Sequence, residues 1–293
     1  NALERLVNAN IQSLDFNGTL VTMGLNKKAV EEICRQSGND ITISAEPVDI
    51  SGVRSCYDIT IRSVKDGEPL TVTDLKEGAA VMGIPYTPES NEDSGRLYGV
   101  YVDDSGRISR IANSVYDGNS RQILFLTNHF SIYGVGYMAS APAFADTQAH
   151  WAGESIDYIT GRGLLPGVSV SGFAPEAVLT RGTLAAALGK LAEADVSSYT
   201  GSSFSDLAGN EQAPYVEWAY RNGIIQGTGA DLFESDAAVT REEMASVMQN
   251  YARVTGFSLP VTRSQYSFAD YESIGSEGKA AVTAMQKAGV MMG

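Results

Sequence analysis

The chain has 293 residues, 43% of them hydrophobic, which is typical of a folded protein of two or more domains and not of a disordered chain. Its 21 Lys and Arg stand against 35 Asp and Glu, a formal charge of −14, so it offers no basic surface to nucleic acid or to an anionic membrane. It contains no apolar run of about 18 residues, and the sequence therefore predicts no membrane insertion.

The chain begins Asn1-Ala2-Leu3-Glu4, with neither an initiator Met nor a signal peptide, which suggests a fragment of a longer protein. Its cysteines are Cys34 and Cys56, and their spacing fits neither a zinc site nor a redox motif. Two separate thiols are the simpler interpretation of this pair, and a single disulfide bridge is the alternative.

The sequence of residues 1–137 predicts a β-rich, sandwich-like module with one helix, because it consists of short segments of alternating apolar and polar residues separated by frequent turn signals. The helix is expected to begin after Asn26 as N-cap, to bury Ala29, Val30 and Ile33 on one face, and to end at Gly38. The predicted strands are residues 41–43, 57–61, 70–73, 79–84, 97–102, 122–127 and 131–137.

One turn of this module carries two acidic residues. The sequence Asp103-Asp104-Ser105-Gly106 separates Val102 from Ile108 and predicts a hairpin. Two adjacent carboxylates could also ligate calcium, but a turn with solvated acids is the simpler interpretation. Residues 138–143, small side chains with one Pro, then predict a short linker.

From Phe144 onward the chain repeats itself at an offset of 60 residues without a gap. The matched segments are Phe144-Ala145-Asp146 with Phe204-Ser205-Asp206, Gly163-Leu164-Leu165 with Gly223-Ile224-Ile225, Phe173 with Phe233, and Thr180-Arg181 with Thr240-Arg241. A third copy begins at Phe268-Ala269-Asp270. We therefore expect copies at 144–203 and 204–267 and a shortened third copy at 268–293.

Each complete copy predicts two helices joined by a glycine-rich loop. The first helix is expected to end at Gly163 or Gly223, and the second to begin after a Thr N-cap. In the second copy Thr240 and Glu243 form a capping box, whereas Thr183 leaves the box of the first copy incomplete. Stacking of copies would bury the apolar helix faces. The fold class is thus an α+β, multidomain chain with an all-α half that follows the β-rich module.

The repeated motifs occur in a fixed order: Phe-Ala-Asp, His150-Trp151-Ala152, Gly-Leu-Leu or Gly-Ile-Ile, Phe, and a Thr-Arg pair that opens a helix. In this order they resemble the S-layer homology repeat over residues 144–293. The resemblance implies a helical domain of three repeats that attaches secreted bacterial proteins noncovalently to anionic, often pyruvylated, secondary cell-wall polysaccharides. It also implies an extracellular location at the cell wall or S-layer, with other surface-layer proteins as further candidate partners.

Residues 14–137 carry a second resemblance. The segments Ile84-Pro85-Tyr86-Thr87-Pro88, 100–104 and 128–136 are similar to the β-rich module that often precedes S-layer homology repeats in surface proteins of Firmicutes. This resemblance implies a spacer without catalytic residues.

The predicted carbohydrate-binding residues are Arg181, Arg241, Trp151, Thr180 and Thr240. The two arginines fall in the first turn of helices, where free N–H groups favour anions, and a guanidinium fork matches a carboxylate. The two threonines cap the same helices, and the resemblance places the Trp on the wall of a binding groove. The alternatives are a surface ion pair or cap support for each arginine, and a core filler for the Trp.

Three departures from the family pattern reduce the expected number of sites. Glu211 and Glu277 take the Trp position in the second and third copies, and a carboxylate there disfavours an anionic glycan. The first copy reads Thr-Arg-Gly-Thr where the family has Thr-Arg-Ala-Glu, and the third copy contains no Thr-Arg pair. At most two arginine-based sites are therefore expected.

The sequence predicts no enzyme, cofactor or metal site. His129 and His150 fall in different halves, and neither has a partner at metal-ligand spacing. Acid pairs such as Glu211 with Glu217, or Glu242 with Glu243, could serve glycoside hydrolysis, but solvated helix faces explain them more simply. The sequence therefore favours a non-catalytic cell-surface anchor. The alternatives are a structural subunit that assembles by protein–protein packing, and an accessory part of a secreted glycan hydrolase.

Overall fold

A computed structural model describes residues 2–37, 40–65, 67–139 and 144–292. The chain divides into two compact units. The first, which we call the β-rich unit, ends at Gly163, and the second, which we call the helical unit, begins at Leu164. The boundary expected at 138–143 stays a prediction, because residues 140–143 lie outside the described residues, as does the expected helix stop Gly38. Within the described ranges, no helix has the length and apolar character needed to cross a membrane.

The β-rich unit contains eleven strands and three α-helices among its described residues. The strands are β1 (Ser13–Asn17), β2 (Thr22–Asn26), β3 (Ile41–Pro47), β4 (Arg54–Lys65), β5 (Glu68–Val72), β6 (Ala80–Pro85), β7 (Leu97–Val102), β8 (Ile108–Arg110), β9 (Val115–Asp117), β10 (Gln122–Thr127) and β11 (Ile132–Tyr137). The helices are α1 (Ala2–Asn8), α2 (Lys27–Gln36) and α3 (Gly153–Gly161).

The strands form two antiparallel sheets that contribute to one hydrophobic core. One sheet has the order β1-β2-β6-β10-β9, and the other has the order β3-β4-β11-β7-β8 with β5 paired to β4. Met82 and Ile84 of the first sheet and Ile59 and Ile61 of the second are fully buried in that core. These sheets confirm the predicted β-rich character of this half, while the sandwich arrangement stays a prediction.

All seven predicted strands are present, and so is the helix capped by Asn26. The Asn26 Oδ1 accepts a hydrogen bond from the Ala29 N–H (2.9 Å), and Ala29, Val30 and Ile33 are buried as expected. The expectation of a single helix is wrong, because α1 precedes the first strand. The prediction also missed β1, β2 and β9, which have three to five residues each.

The acidic turn forms the expected hairpin between β7 and β8. The Asp103 Oδ1 accepts hydrogen bonds from the N–H groups of Ser105 and Arg107, both at 2.9 Å, which explains why an acid is present there. The two thiols are separate, as the simpler interpretation predicted: Cys34 is half-buried in α2 and Cys56 is buried in β4. Burial raises the pKa of the Cys56 thiol.

The helical unit contains four α-helices in its described residues, and they pair across repeat boundaries. They are α4 (Arg181–Leu191), α5 (Ala213–Arg221), α6 (Arg241–Thr255) and α7 (Gly278–Lys287). The second helix of the first copy, α4, packs on the first helix of the second copy, α5, and α6 packs on α7 in the same way. Each copy thus completes the core of its neighbour.

The backbone repeats with the same period as the sequence. The start of α5 follows that of α3, and the start of α6 follows that of α4, by 60 residues. Gly163 (φ 70°), Gly223 (φ 67°) and Gly289 (φ 77°) follow the first helices of the three copies in the left-handed conformation that favours glycine. The predicted positions of Gly163 and Gly223 beyond the helix ends are therefore confirmed.

Two acidic side chains near the start of the second copy accept hydrogen bonds from backbone N–H groups. The Asp206 carboxylate accepts hydrogen bonds from the N–H groups of Phe233 (3.0 Å) and Glu234 (2.7 Å). Glu217, expected on a solvated helix face, is instead fully buried. Its carboxylate accepts a hydrogen bond from the Ser203 N–H (2.7 Å) and forms an ion pair with Arg221 (2.6 Å), so the buried negative charge has both a donor and a counter-charge.

We expect Glu217→Gln to lower the free energy of unfolding of the helical unit by about 2 kcal/mol near pH 7, because it removes hydrogen bonds to a charged group. Burial tends to raise the pKa of Glu217, but the Ser203 N–H and Arg221 outweigh it and hold that pKa below its usual value. A lowered folded-state pKa stabilises the protein above the unfolded-state pKa, and this contribution is lost as the pH falls through the folded-state pKa. The stabilities of wild type and variant should therefore converge in acid.

Urea denaturation at about pH 7 and about pH 3, followed by Trp218 fluorescence in a Trp151→Phe background, measures both effects. Glu211→Gln is the matched control, since Glu211 is exposed. Equal stability of Glu217→Gln and the control at neutral pH would contradict the role of this buried carboxylate.

Candidate functional site

The N-terminus of α4 is closed by backbone of the second copy. Thr180 caps the helix, as predicted, and the next two N–H groups are both bonded. The Arg181 N–H donates to the Ala237 carbonyl (3.0 Å), and the Gly182 N–H donates to the Ser235 carbonyl (2.9 Å). The donors that would attract an anion at this helix end are therefore already satisfied.

The Arg181 guanidinium is also engaged inside the helical unit, where the residue is only 6% exposed. Its Nε donates to the Phe233 carbonyl (3.0 Å), its Nη2 to the Gln226 carbonyl (2.5 Å) and its Nη1 to the Glu243 carboxylate (3.2 Å). It also lies over the Phe233 ring at 4.8 Å. This geometry favours a structural role for Arg181, as a buried residue that joins the first and second copies, and differs from the surface ion pair expected as an alternative.

The N-terminus of α6 has the same sequence motif and different surroundings. The predicted capping box is confirmed: Thr240 Oγ1 accepts from the Glu243 N–H (3.1 Å), and Glu243 Oε2 accepts from the Thr240 N–H (2.8 Å). Among the described residues no acceptor bonds the N–H groups of Arg241 or Glu242. Arg241 is exposed, and its Nη2 donates to the Met292 carbonyl (2.8 Å).

A cavity of about 310 Å³ lies beside this helix end. Its lining combines one guanidinium and two carboxylates with an apolar wall: Arg241, Glu242, Phe268, Asp270, Ser273, Ile274, Val282, Met291 and Met292. The Glu242 carboxylate is held by the Gly275 N–H at 3.1 Å. Charged and hydroxyl groups beside an aromatic and aliphatic wall suit a small polar ligand with an apolar face, such as a sugar.

The sequence did not identify Glu242 or Asp270 as part of this site. The sequence pattern places Glu242 on a solvated helix face, and the third Phe-Ala-Asp motif indicates only the start of a third copy. The motif could have located the site, because the equivalent Asp206 bonds backbone of its own copy whereas Asp270 lines the cavity.

Trp151 lies in the β-rich unit, in the turn before α3, and is 90% exposed. Its ring centroid lies 5.5 Å from that of His150. The core-filler alternative is therefore wrong for this residue. An exposed indole offers a large flat surface, which is the kind of surface on which sugar rings and other flat apolar faces stack.

Comparison with known proteins identifies the repeats. The model of the S-layer homology domain matches residues 143–185 and 203–245. The chain is 29% identical over 234 residues to exoglucanase XynX of Acetivibrio thermocellus, 29% identical over 179 residues to an amylopullulanase of Thermoanaerobacterium thermosulfurigenes, and 30% identical over 111 residues to S-layer protein sap of Bacillus anthracis. These matches use 78%, 60% and 38% of this chain.

The chain spans only 20%, 9% and 14% of the lengths of these three relatives. Similarity over so small a part assigns neither glycosidase activity nor lattice formation to this chain. The S-layer homology domain itself is a non-catalytic module that anchors proteins to the cell wall.

We expect Arg181→Ala to lower the free energy of unfolding of the helical unit by about 3 kcal/mol, because it leaves buried carbonyls without donors. Arg241→Ala should change it by less than about 0.5 kcal/mol, since the side chain is exposed. Urea denaturation followed by Trp218 fluorescence compares the two variants directly. Equal losses of stability would contradict the different roles of the two arginines.

Proposed function

We propose that this chain, which carries S-layer homology repeats, anchors a secreted protein to the bacterial cell wall by binding an anionic secondary polysaccharide noncovalently. Cell-wall anchoring and a cell-surface location follow from the matched repeats and from the similarity to S-layer proteins. The polysaccharide is our proposal, and the observation that carries it is the open end of α6. There, Arg241 and two N–H groups with no acceptor among the described residues border a cavity.

Arg241 would bind a carboxylate of the polymer, such as a pyruvyl ketal, through its planar fork. The free N–H groups of the first turn would contribute further donors. The Glu242 and Asp270 carboxylates repel anions and would instead accept hydrogen bonds from sugar hydroxyls, so only the anionic group paired with Arg241 would be bound there. A single carboxylate with neighbouring hydroxyls therefore fits this cavity better than a phosphate cluster does.

The remaining predicted carbohydrate-binding residues differ in how far the structure supports them as ligand contacts. The exposed indole of Trp151 supports a role in stacking on a sugar. Thr180 and Thr240 use their hydroxyls as helix caps, and Arg181 uses its guanidinium inside the helical unit. As carbohydrate contacts these three residues stay predictions, and we propose that they act by holding the helix ends.

A structural role in a surface assembly is the second candidate function. It is favoured by the similarity to S-layer proteins and by exposed apolar residues near the start of the helical unit, namely Val168, Val170 and Val178. An accessory role in a secreted glycan hydrolase is a third candidate, supported by the similarity to the exoglucanase and the amylopullulanase. It is compatible with anchoring, since the chain would then attach the hydrolase to the wall.

We expect the chain to sediment with purified Firmicute sacculi, and to lose this binding after mild acid removes the secondary polymer and its ketals. Arg241→Ala should weaken binding about 10-fold or more, because it removes hydrogen bonds to a charged group. Trp151→Ala should weaken it as well. Arg253→Ala, an exposed arginine in the last turn of α6, is the matched control and should bind as wild type.

The double variant Arg181→Ala/Arg241→Ala should bind no more weakly than Arg241→Ala wherever it is folded. Binding that survives both acid treatment and Arg241→Ala would overturn the polysaccharide proposal. Sedimentation of the free chain as a large assembly would then favour protein–protein packing.

A further inference from the structure

The first helix of each copy needs a packing partner, and α3 has one of a different kind. In the helical unit, α5 packs on α4 and α7 packs on α6, so each first helix rests on the second helix of the preceding copy. The segment that precedes α3 is β-rich, and α3 belongs to the same compact unit as the two sheets. Its contacts there are specific.

Arg162, the residue that ends α3, is the centre of these contacts and is only 7% exposed. Its Nη2 donates to the carbonyl of Leu97, the first residue of β7 (2.8 Å), and its Nε donates to the carbonyl of Ser114, just before β9 (3.3 Å). Its guanidinium also lies 3.5 Å from the centroid of the Tyr158 ring. One side chain thus joins the helix end to two separate β-segments.

Two further residues of α3 add to this attachment. The Tyr158 hydroxyl donates to the same Ser114 carbonyl (3.1 Å). Gly161 lies so close to Met138 that an added Cβ would be 2.7 Å from its sulfur. The close approach at Gly161 and the shared acceptor at Ser114 indicate a fitted contact surface.

The chemistry of Arg162 is unusual for a structural residue. A buried guanidinium without a carboxylate loses more hydration than neutral acceptors restore, and within the described part of the chain Arg162 bonds carbonyls and no carboxylate. Burial correspondingly lowers its pKa. At the equivalent position the second copy has Asn222, which is exposed, so the buried arginine belongs to the first copy specifically.

We propose that α3, although it is the first helix of the first copy, has the β-rich sheets as its packing partner, and that Arg162 is the positioning residue that fixes α3 on them. Trp151 lies in the turn immediately before α3, so Arg162 also determines where that indole is presented. This second part rests on the proposed function, because it treats Trp151 as a sugar contact. The β-rich module is then part of the anchor and not a passive spacer.

Hydrogen–deuterium exchange of the full chain tests the attachment without reference to any ligand. In Arg162→Ala, amides of α3 should exchange at least about 10-fold faster than in wild type, while those of β6, β10 and α4–α7 keep their rates. Arg162→Lys should give an intermediate effect, because a single ammonium cannot reproduce the planar fork. Arg62→Ala is the matched control, since Arg62 is an exposed residue of β4.

Unchanged exchange of α3 in Arg162→Ala would overturn the proposal. General loss of protection in Arg162→Ala would instead mark a folding defect. In that case Arg162→Lys decides, and the proposal stands only if exchange in Arg162→Lys rises in α3 alone.

Sacculus binding tests the positioning of Trp151 separately. Arg162→Ala should weaken binding as much as Trp151→Ala does, and the double variant should be no weaker than either alone. Normal binding by Arg162→Ala beside weak binding by Trp151→Ala would overturn the positioning role. If wild type binds no sacculi, the polysaccharide proposal fails while the exchange result still decides whether Arg162 fixes α3.

Discussion

A short helix cannot bury an apolar face alone, and this requirement determines how the repeats are built. Helices of nine to fifteen residues, α4–α7, form pairs that each combine two successive copies. The 60-residue unit of the sequence is therefore not the unit of packing. Any single copy leaves one helix face uncovered at each side, and what covers that face decides the role of the residues around it.

The two Thr-Arg motifs illustrate this dependence. Thr180-Arg181 and Thr240-Arg241 begin equivalent helices, yet carbonyls of the second copy close the first helix end and no described acceptor closes the second. Sequence identity at the motif thus does not make the arginines equivalent. Arg181 joins copies, whereas Arg241 keeps an exposed guanidinium beside a cavity that includes the third Phe-Ala-Asp motif.

Local signals explain what could be predicted from the sequence. Asn26 and Thr240 specify helix starts through hydrogen bonds to residues three positions away, and seven strands followed from alternation between turns. The burial of Glu217 depends on a partner 14 residues away, and the closure around Arg181 depends on partners 45 to 62 residues away, which no local pattern reveals. Arg162 is the extreme case, since one of its acceptors precedes it by 65 residues.

The net charge of −14 and an anionic ligand are compatible because the two act over different distances. At physiological ionic strength, charges more than about 8 Å apart are largely screened, so the overall repulsion acts mainly on the rate of encounter. A carboxylate bound in the proposed site would sense chiefly its contacts: a guanidinium and the N–H groups of one helix turn, opposed in part by the Glu242 and Asp270 carboxylates of the same cavity. An acidic chain can therefore carry the proposed carboxylate site at the start of α6 while its net charge disfavours more highly charged polyanions such as nucleic acid.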